Sequence, residues 1–371
     1  MKIGILTLPL SYNYGGILQA YALQNVLVKM GHDVRHINYP FKRKEAFFLV
    51  KLKRCIKKVL NKYPGHYIDY EERFNKWLPQ ISSNTSQFIS SNINLTDEIK
   101  SFGELLEVDF DAIIVGSDQI WRPCMFQLDP TIAFLSFARN WKIKKIAYAA
   151  SFGTSCWEYT DIQTKQCAEL ALLFNLITVR EKDAVDICRQ HLGLDNVSYV
   201  LDPTMLLEKT DYESLIEKAN IGENEGGLFT YILDPSPSKQ NIIDGISKKY
   251  NIEPFKVNSI DGNVKCELKD RIAQPVEKWL KGFADADFVV TDSFHACVFS
   301  IIFNKPFIVI ANKQRGLSRF ESLLSQFDLM DRLVDNNCNL DVLDKPIFYQ
   351  DVNKKLLELR KKSISILNSA L

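Results

Sequence analysis

A carboxylate, a hydroxyl and an imidazole fall within four residues of "TDSFHACVFSIIFNKPFI": Asp292, Ser293 and His295. They stand where a run of strand formers, "DFVVTD", stops and an apolar helical pattern begins. Asp or Ser at such a junction can cap a helix N-terminus, which accounts for one or two of the three. Capping gives His295 no task. A histidine at a helix N-terminus faces the place where anions bind, and it can pass a proton to a leaving phosphate. After the next strand, "ANKQRGLSRF" adds Lys313, Arg315 and Arg319. Together they would make a pocket cationic; singly, each reads as part of a solvated basic loop.

Other apolar runs also end in groups that can do chemistry. "VGSDQIWRP" (115–123) places Ser117, Asp118, Gln119, Trp121 and Arg122 almost in a row. Asp118 there caps a helix, or the set forms a polar wall with an aromatic side, as sugar sites need. Arg180 closes "LITVR" and can grip a carboxylate or phosphate with two parallel bonds. It can equally pair with Glu181 or another acid. In "SYNYGG", Asn13, Gly15 and Gly16 lead into a helix N-terminus, either as a tight turn or as a cradle of N–H groups for an anion or sugar.

The elements that must position these groups alternate. "KIGILTL", "DVRHINY", "FDAIIVGS", "KIKKIAYAAS", "LITVRE" and "VSYVLDP" read as strands, with helices or loops between them. The alternation restarts at "GGLFTYIL" and continues through "EPFKVNS", "DFVVTD" and "PFIVIAN". Two α/β doubly wound halves with mostly parallel sheets follow. The division predicted is residues 1–205 and 206–345. A closing helix in 346–371 packs back on the first half. The stretch around 201–227 reads as the linker and "SSNTSQFISSNINLTD" as a surface loop. In open parallel sheets ligands lie beyond the carboxyl ends of the strands, where all the residues named above stand.

Composition narrows the classes. The 371 residues are 46% hydrophobic and 25% charged, with 46 basic against 45 acidic residues and a formal net charge of +1. That balance gives no global argument for nucleic acid or a membrane surface. Eight cysteines without a CxxC pair read as reduced thiols, and five histidines without zinc spacing ask for no metal. Neither a secretory leader nor a run of roughly 18 apolar residues is visible, so a cytoplasmic protein is expected. One segment stands apart. "KRKEAFFLVKLKRCIKKVLNK" (42–62) is basic and amphipathic, and reads as a helix on an anionic membrane face or as a packing helix with a wet basic side.

"NYGGILQAYAL", "VGSDQIWRP", "AASFG", "VREKDAVDIC", "VLDPTMLL" and "TDSFHACVFSIIFNKPFI", in this order, resemble the polysaccharide pyruvyl transferase family over residues 3 to about 320. The resemblance implies a glycosyltransferase-B-like pair of Rossmann-like halves facing a cleft, with residues 1–205 the acceptor side and 206–345 the donor side. It also implies transfer of pyruvate from phosphoenolpyruvate to two sugar hydroxyls, forming a ketal and releasing phosphate without a cofactor. The acceptor would be a sugar of a cell-surface polysaccharide or its precursor, which can be lipid-linked. His295 matches the motif histidine implicated in donor binding and catalysis, and Arg180 an arginine that grips the donor.

On that reading Asp118 or Asp292 deprotonates the attacking hydroxyl. Asn13, Gly15, Gly16, Ser117, Gln119 and Trp121 face the acceptor. One departure matters: many members carry arginine two positions before the histidine, where this chain has Ser293. Lys313, Arg315 or Arg319 must then supply the missing cation. The rival readings are a glycosyltransferase that uses a nucleotide sugar and a non-catalytic relative that keeps the cleft.

Overall fold

The computed structural model describes residues 1–60, 66–222, 226–312, 316–335 and 343–371. Six strands build the first sheet: β1 (Lys2–Leu6), β2 (Asp33–His36), β3 (Ala112–Val115), β4 (Lys144–Ala150), β5 (Leu176–Val179) and β6 (Val197–Tyr199). All pair in parallel, in the order β2-β1-β3-β4-β5-β6. Five build the second: β7 (Leu228–Tyr231), β8 (Pro254–Phe255), β9 (Phe288–Thr291), β10 (Phe307–Ile310) and β11 (Leu333–Val334). These are parallel too, in the order β11-β10-β9-β7-β8.

Both halves therefore wind the same way. Each sheet starts one strand in from an edge, steps out to that edge, then crosses back and runs to the other edge. The reversal lies between β1 and β3 in one half and between β7 and β9 in the other. Such switch points open a crevice at the strand carboxyl ends. The central strands are continuous apolar runs because helices cover both their faces: every residue of β3, β9 and β10 is buried.

The halves are packed against each other through one shared hydrophobic cluster. The helix Tyr14–Lys29 of the first half reaches the second through Tyr14. Its ring stacks on Trp279 at 5.4 Å, and its hydroxyl donates to Gln274 O at 3.0 Å. The crossing at 201–227, expected as a linker, is built into this core. Pro203–Leu206 is buried, Tyr212 OH donates to Thr204 O at 2.7 Å, and the helix Lys209–Ala219 buries Tyr212 and Leu215. The last helix, Tyr349–Ala370, lies on the first half, where Ser363 Oγ accepts from Leu201 N at 3.1 Å and Arg360 donates to Met205 O and Leu207 O.

A second departure is the Ser/Asn-rich stretch expected as a loop. It forms the helix Ser83–Asn92. Serine and asparagine favour caps over helix interiors, but Thr85, Phe88 and Ile89 share one face and bury together, and tertiary packing overrides propensity.

Candidate active site

The carboxyl ends of β3, β5 and β6 each deliver one polar residue to a common centre. Arg180, directly after β5, is buried among three carboxylates. Its Nη1 donates to Asp202 Oδ2 at 2.6 Å, Nη2 to Asp118 Oδ1 at 3.1 Å, and Nε to Glu181 Oε1 at 3.4 Å. Asp118 reaches this position with a φ of 55°, a left-handed conformation that aspartate tolerates better than most residues. The Asp202 carboxylate is further fixed by Thr204, whose N and Oγ1 donate to Oδ1 at 3.0 and 2.6 Å. Ser151 Oγ, past the end of β4, donates to Glu181 Oε1 at 2.5 Å.

The second half supplies the facing wall. After β9 the helix Phe294–Ile302 begins, and its first two side chains both enter the centre. The Phe294 ring lies under two guanidiniums, Arg180 at 4.4 Å and Arg319 at 5.5 Å from its centroid. His295 Nε2 stands 3.7 Å from Asp202 Oδ2, across the boundary between the halves, and makes no hydrogen bond to the described residues. The other side of the imidazole rests on Gly15. A Cβ built there would sit 2.1 Å from His295 Nδ1, so only glycine lets the first helix approach this closely.

Arg319 arrives on the helix Leu317–Gln326, which docks on the first half. Lys182 N donates to Ser322 Oγ at 3.0 Å and Tyr199 OH to Ser322 O at 2.8 Å. The loop before it comes equally close, since a Cβ on Gly316 would meet the Gly153 carbonyl oxygen at 2.0 Å.

Burial and charge divide the acids. At Asp202, burial would push the carboxyl up; the imidazole of His295 and the Arg180 guanidinium outweigh it and hold the group well below the usual range. At Asp118 burial is likewise outweighed, by Arg180, His295 and Arg319, and the pKa is lowered. Burial wins at Glu181, whose carboxyl is raised despite Arg180 and the Ser151 hydrogen bond. Arg319 is pushed down to about 10, first by burial and then by the neighbouring charge of Arg180. Two carboxylates are thus kept ionised and one is drawn toward its neutral form, in a single cluster.

Several residues expected at the site are brought together here: Asp118, Arg180, His295, Arg319 and Gly15. Others are not. Asp292, expected as a base, is turned away and consumed: Oδ2 pairs with Lys239 Nζ at 2.6 Å, and the two oxygens accept Leu233 N and Asp234 N at 2.6 and 3.1 Å. It braces the loop after β7. Trp121, expected as a sugar platform, is fully buried, stacked on Phe134 at 4.8 Å with Nε1 donating to Ala133 O. It is a core residue.

Ser117 is also internal, with N and Oγ both donating to Gln19 Oε1. Asn13 caps the first helix by accepting Gly16 N at 3.3 Å, and is exposed. Gln119 stays partly exposed at the rim, where its Oε1 accepts from Arg122 Nη1 at 3.2 Å. Ser293 is buried beside the centre without capping its helix. Lys313 and Arg315 lie outside the described residues.

Asp202 and Glu181 went unnamed among the expected site residues. Both follow strand ends, in "VLDP" and "VRE", and that position was the available signal. Among the described residues no group of three His, Cys, Asp or Glu is placed to hold a metal ion. A pocket of about 450 Å³ does exist at the opposite ends of β9 and β10, beside Tyr250, Phe288, Pro306 and Tyr349. It lies away from the carboxyl ends where parallel sheets work, so the charged centre is the stronger site.

Solved structures are similar to this chain at low identity. A UDP-GlcNAc 2-epimerase from Neisseria meningitidis is 11% identical, with 99% of this chain and 94% of that one covered and a TM-score of 0.49. The glycotransferase of kitacinnamycin is 12% identical, with coverage of 100% and 98% and a TM-score of 0.48. UGT89C1 from Arabidopsis thaliana, complexed with UDP-L-rhamnose, is 10% identical, with coverage of 98% and 94% and a TM-score of 0.47. No curated protein matches the chain. The polysaccharide pyruvyl transferase family does match, over residues 13–314, from the cap of the first helix to beyond β10, and the chain belongs to that family.

Proposed function

We propose that this chain transfers a pyruvyl group from phosphoenolpyruvate to two hydroxyls of a sugar, closing a cyclic ketal and releasing phosphate. The observation that carries the reading is the pair of buried guanidiniums, Arg180 and Arg319, over one Phe294 ring, with His295 next to it against Asp202. Phosphoenolpyruvate carries a carboxylate and a phosphate. Arg180 is already held by three carboxylates and fixes the frame. Arg319 is the cation whose burial a bound anion relieves, and it takes the part of the arginine that Ser293 lacks. The N-terminus of the Phe294–Ile302 helix adds backbone dipole for the phosphate.

In the reaction, C3 of the enol phosphate takes a proton and C2 becomes electrophilic. One sugar hydroxyl adds to C2 and loses its proton, and phosphate departs with the C–O electron pair. The second hydroxyl then adds to C2, and its proton leaves with phosphate. On this reading His295 carries the proton to C3, a role supported by its 3.7 Å approach to ionised Asp202 across the cleft. Asp118, held ionised, is an acceptor that orients a sugar hydroxyl. Glu181, whose carboxyl is raised, is better matched to take the proton. The sequence needs no redox group and no cofactor. The acceptor fits a polysaccharide unit or its precursor, free or lipid-linked.

Thermal unfolding with phosphoenolpyruvate and, separately, with nucleotide sugars tests the donor. A ligand at ~100 times its dissociation constant adds about 2.7 kcal/mol, a shift of at least ~2 °C for a chain of this length. The expected result is stabilisation by phosphoenolpyruvate that Arg319→Met abolishes. A shift with a nucleotide sugar and none with phosphoenolpyruvate would replace this reading by glycosyl transfer.

A further inference from the structure

The helix Phe48–Val59 is mounted inside out. No residue of it is buried, and the least exposed positions are Lys51, Arg54 and Cys55. Charge, not apolar surface, fastens it to the molecule. Arg54 donates through both terminal nitrogens to Glu71 at 2.8 Å and to Ile68 O at 3.0 Å, and Lys51 pairs with Glu72. Leu49, Leu52, Ile56 and Val59, spaced by three and four, form the opposite face and point outward. Phe48, Leu49, Ile56 and Val59 are 77, 67, 51 and 85% exposed. An isolated exposed leucine needs no explanation, but a contiguous apolar helix face with its ion pairs on the inside does.

We propose that this helix docks the protein on an anionic lipid bilayer, lying in the interface plane. Charge selects that occupant over a second copy of the chain. From residue 42 to 60 the sequence holds eight basic residues and one acid, Glu45; Arg43, Lys51 and Arg54 pair within the molecule, and the other five are lysines. Two such faces brought together would oppose like charges, whereas an anionic leaflet complements them. No helix among the described residues is long and apolar enough to cross a membrane, so this contact is peripheral.

The helix also has a neighbour of interest. Glu71, which holds Arg54, lines a pocket of about 340 Å³ with Arg43, Lys44, Pro123, Cys124 and Gln127. That pocket adjoins Arg122, on the rim of the charged centre. Docking thus brings the rim to the lipid surface. That consequence rests on the acceptor reading above; the docking itself does not.

Vesicle flotation of the full chain, with no donor or acceptor present, tests the docking apart from the chemistry. The expected result is co-flotation with vesicles containing phosphatidylglycerol, weakening as salt rises, and little with phosphatidylcholine alone. Removing charge in K53Q/K57Q lowers partitioning about five-fold per lysine. Removing apolar contact in L52S/I56S lowers it by about ten-fold or more, with the thermal midpoint unchanged because both side chains are exposed. Absence of binding to anionic vesicles, or equal binding to neutral ones, overturns the proposal. So does a lipid-free dimer in sedimentation that L52S/I56S dissolves, which would make the face a contact between copies.

Discussion

Two buried ion clusters stand at strand ends in this protein, and they differ in how many charged groups they gather. After β9, Asp292 meets one lysine and two backbone N–H groups, and nothing is left over. After β3, β5 and β6, Arg180 meets three carboxylates, with a second arginine and a histidine beside them. Both clusters look alike in sequence, as strand-end acids and bases. A cancelled pair needs nothing more than its own partner, and serves to brace a loop. A buried set of several acids and bases is costly to keep, and such sets cluster at functional sites.

Arg180→Met is the hardest test of that contrast. It strands Asp118, Glu181 and Asp202 without their shared cation, and breaking a buried pair by removing one partner costs about 3–5 kcal/mol. Urea unfolding at neutral pH should show a loss in that range. A variant as stable as the parent would mean that the carboxylates are not held as charges.

His295→Ala sharpens the contrast from the other side. Nε2 makes no hydrogen bond to the described residues but the imidazole helps hold Asp202 ionised, so its loss should lower turnover by ~10²–10⁴-fold at a stability cost of about 0.5–3 kcal/mol, smaller than that of Arg180→Met. Release of phosphate from phosphoenolpyruvate, measured with a saturating acceptor, gives the rate. An unchanged rate would take His295 out of the mechanism.

Lys239→Met then probes the cancelled cluster. Asp292 keeps its two N–H donors but loses a charged partner, worth about 1.5–3 kcal/mol. Stability should drop by that amount while the shift produced by phosphoenolpyruvate is retained. Loss of the donor response would tie the β7 loop to the site and blur the distinction between the two clusters.

Much of the frame was legible in the sequence because buried parallel strands must be apolar on both faces. "AIIV", "FVVT" and "FIVI" announce themselves as β3, β9 and β10, and their order in the chain implies the doubly wound sheets. His295 and Arg180 were legible because polar residues at the ends of such strands stand out. The partners were harder to see. Lys239 comes to Asp292 from 53 residues away, and only the folded chain shows that this acid is spent. Trp121 carries the same letter whether it faces a sugar or the core, and Phe134 decides for the core. Asp202 hides in a turn before proline, where aspartate is ordinary. The helix Ser83–Asn92 escapes notice because three buried side chains, not its composition, make it helical.

Arg319→Met carries the smallest effect on stability and the clearest meaning for the site. Arg319 is buried and its pKa is depressed to about 10, below the ordinary arginine value, by burial first and Arg180 second. The unfolded chain therefore binds more protons above that pH, so stability rises with pH through that window. At neutral pH the charged guanidinium is correspondingly a burden on the fold. Removing it relieves that burden but also takes a cation from beside Glu181 and Asp118, so the two effects offset and urea unfolding should place Arg319→Met within about 1 kcal/mol of the parent. Phosphoenolpyruvate should no longer raise its midpoint. A marked loss of stability would instead show that Arg319 neutralises Glu181 and Asp118 as a structural partner, and the two clusters would then be of one kind.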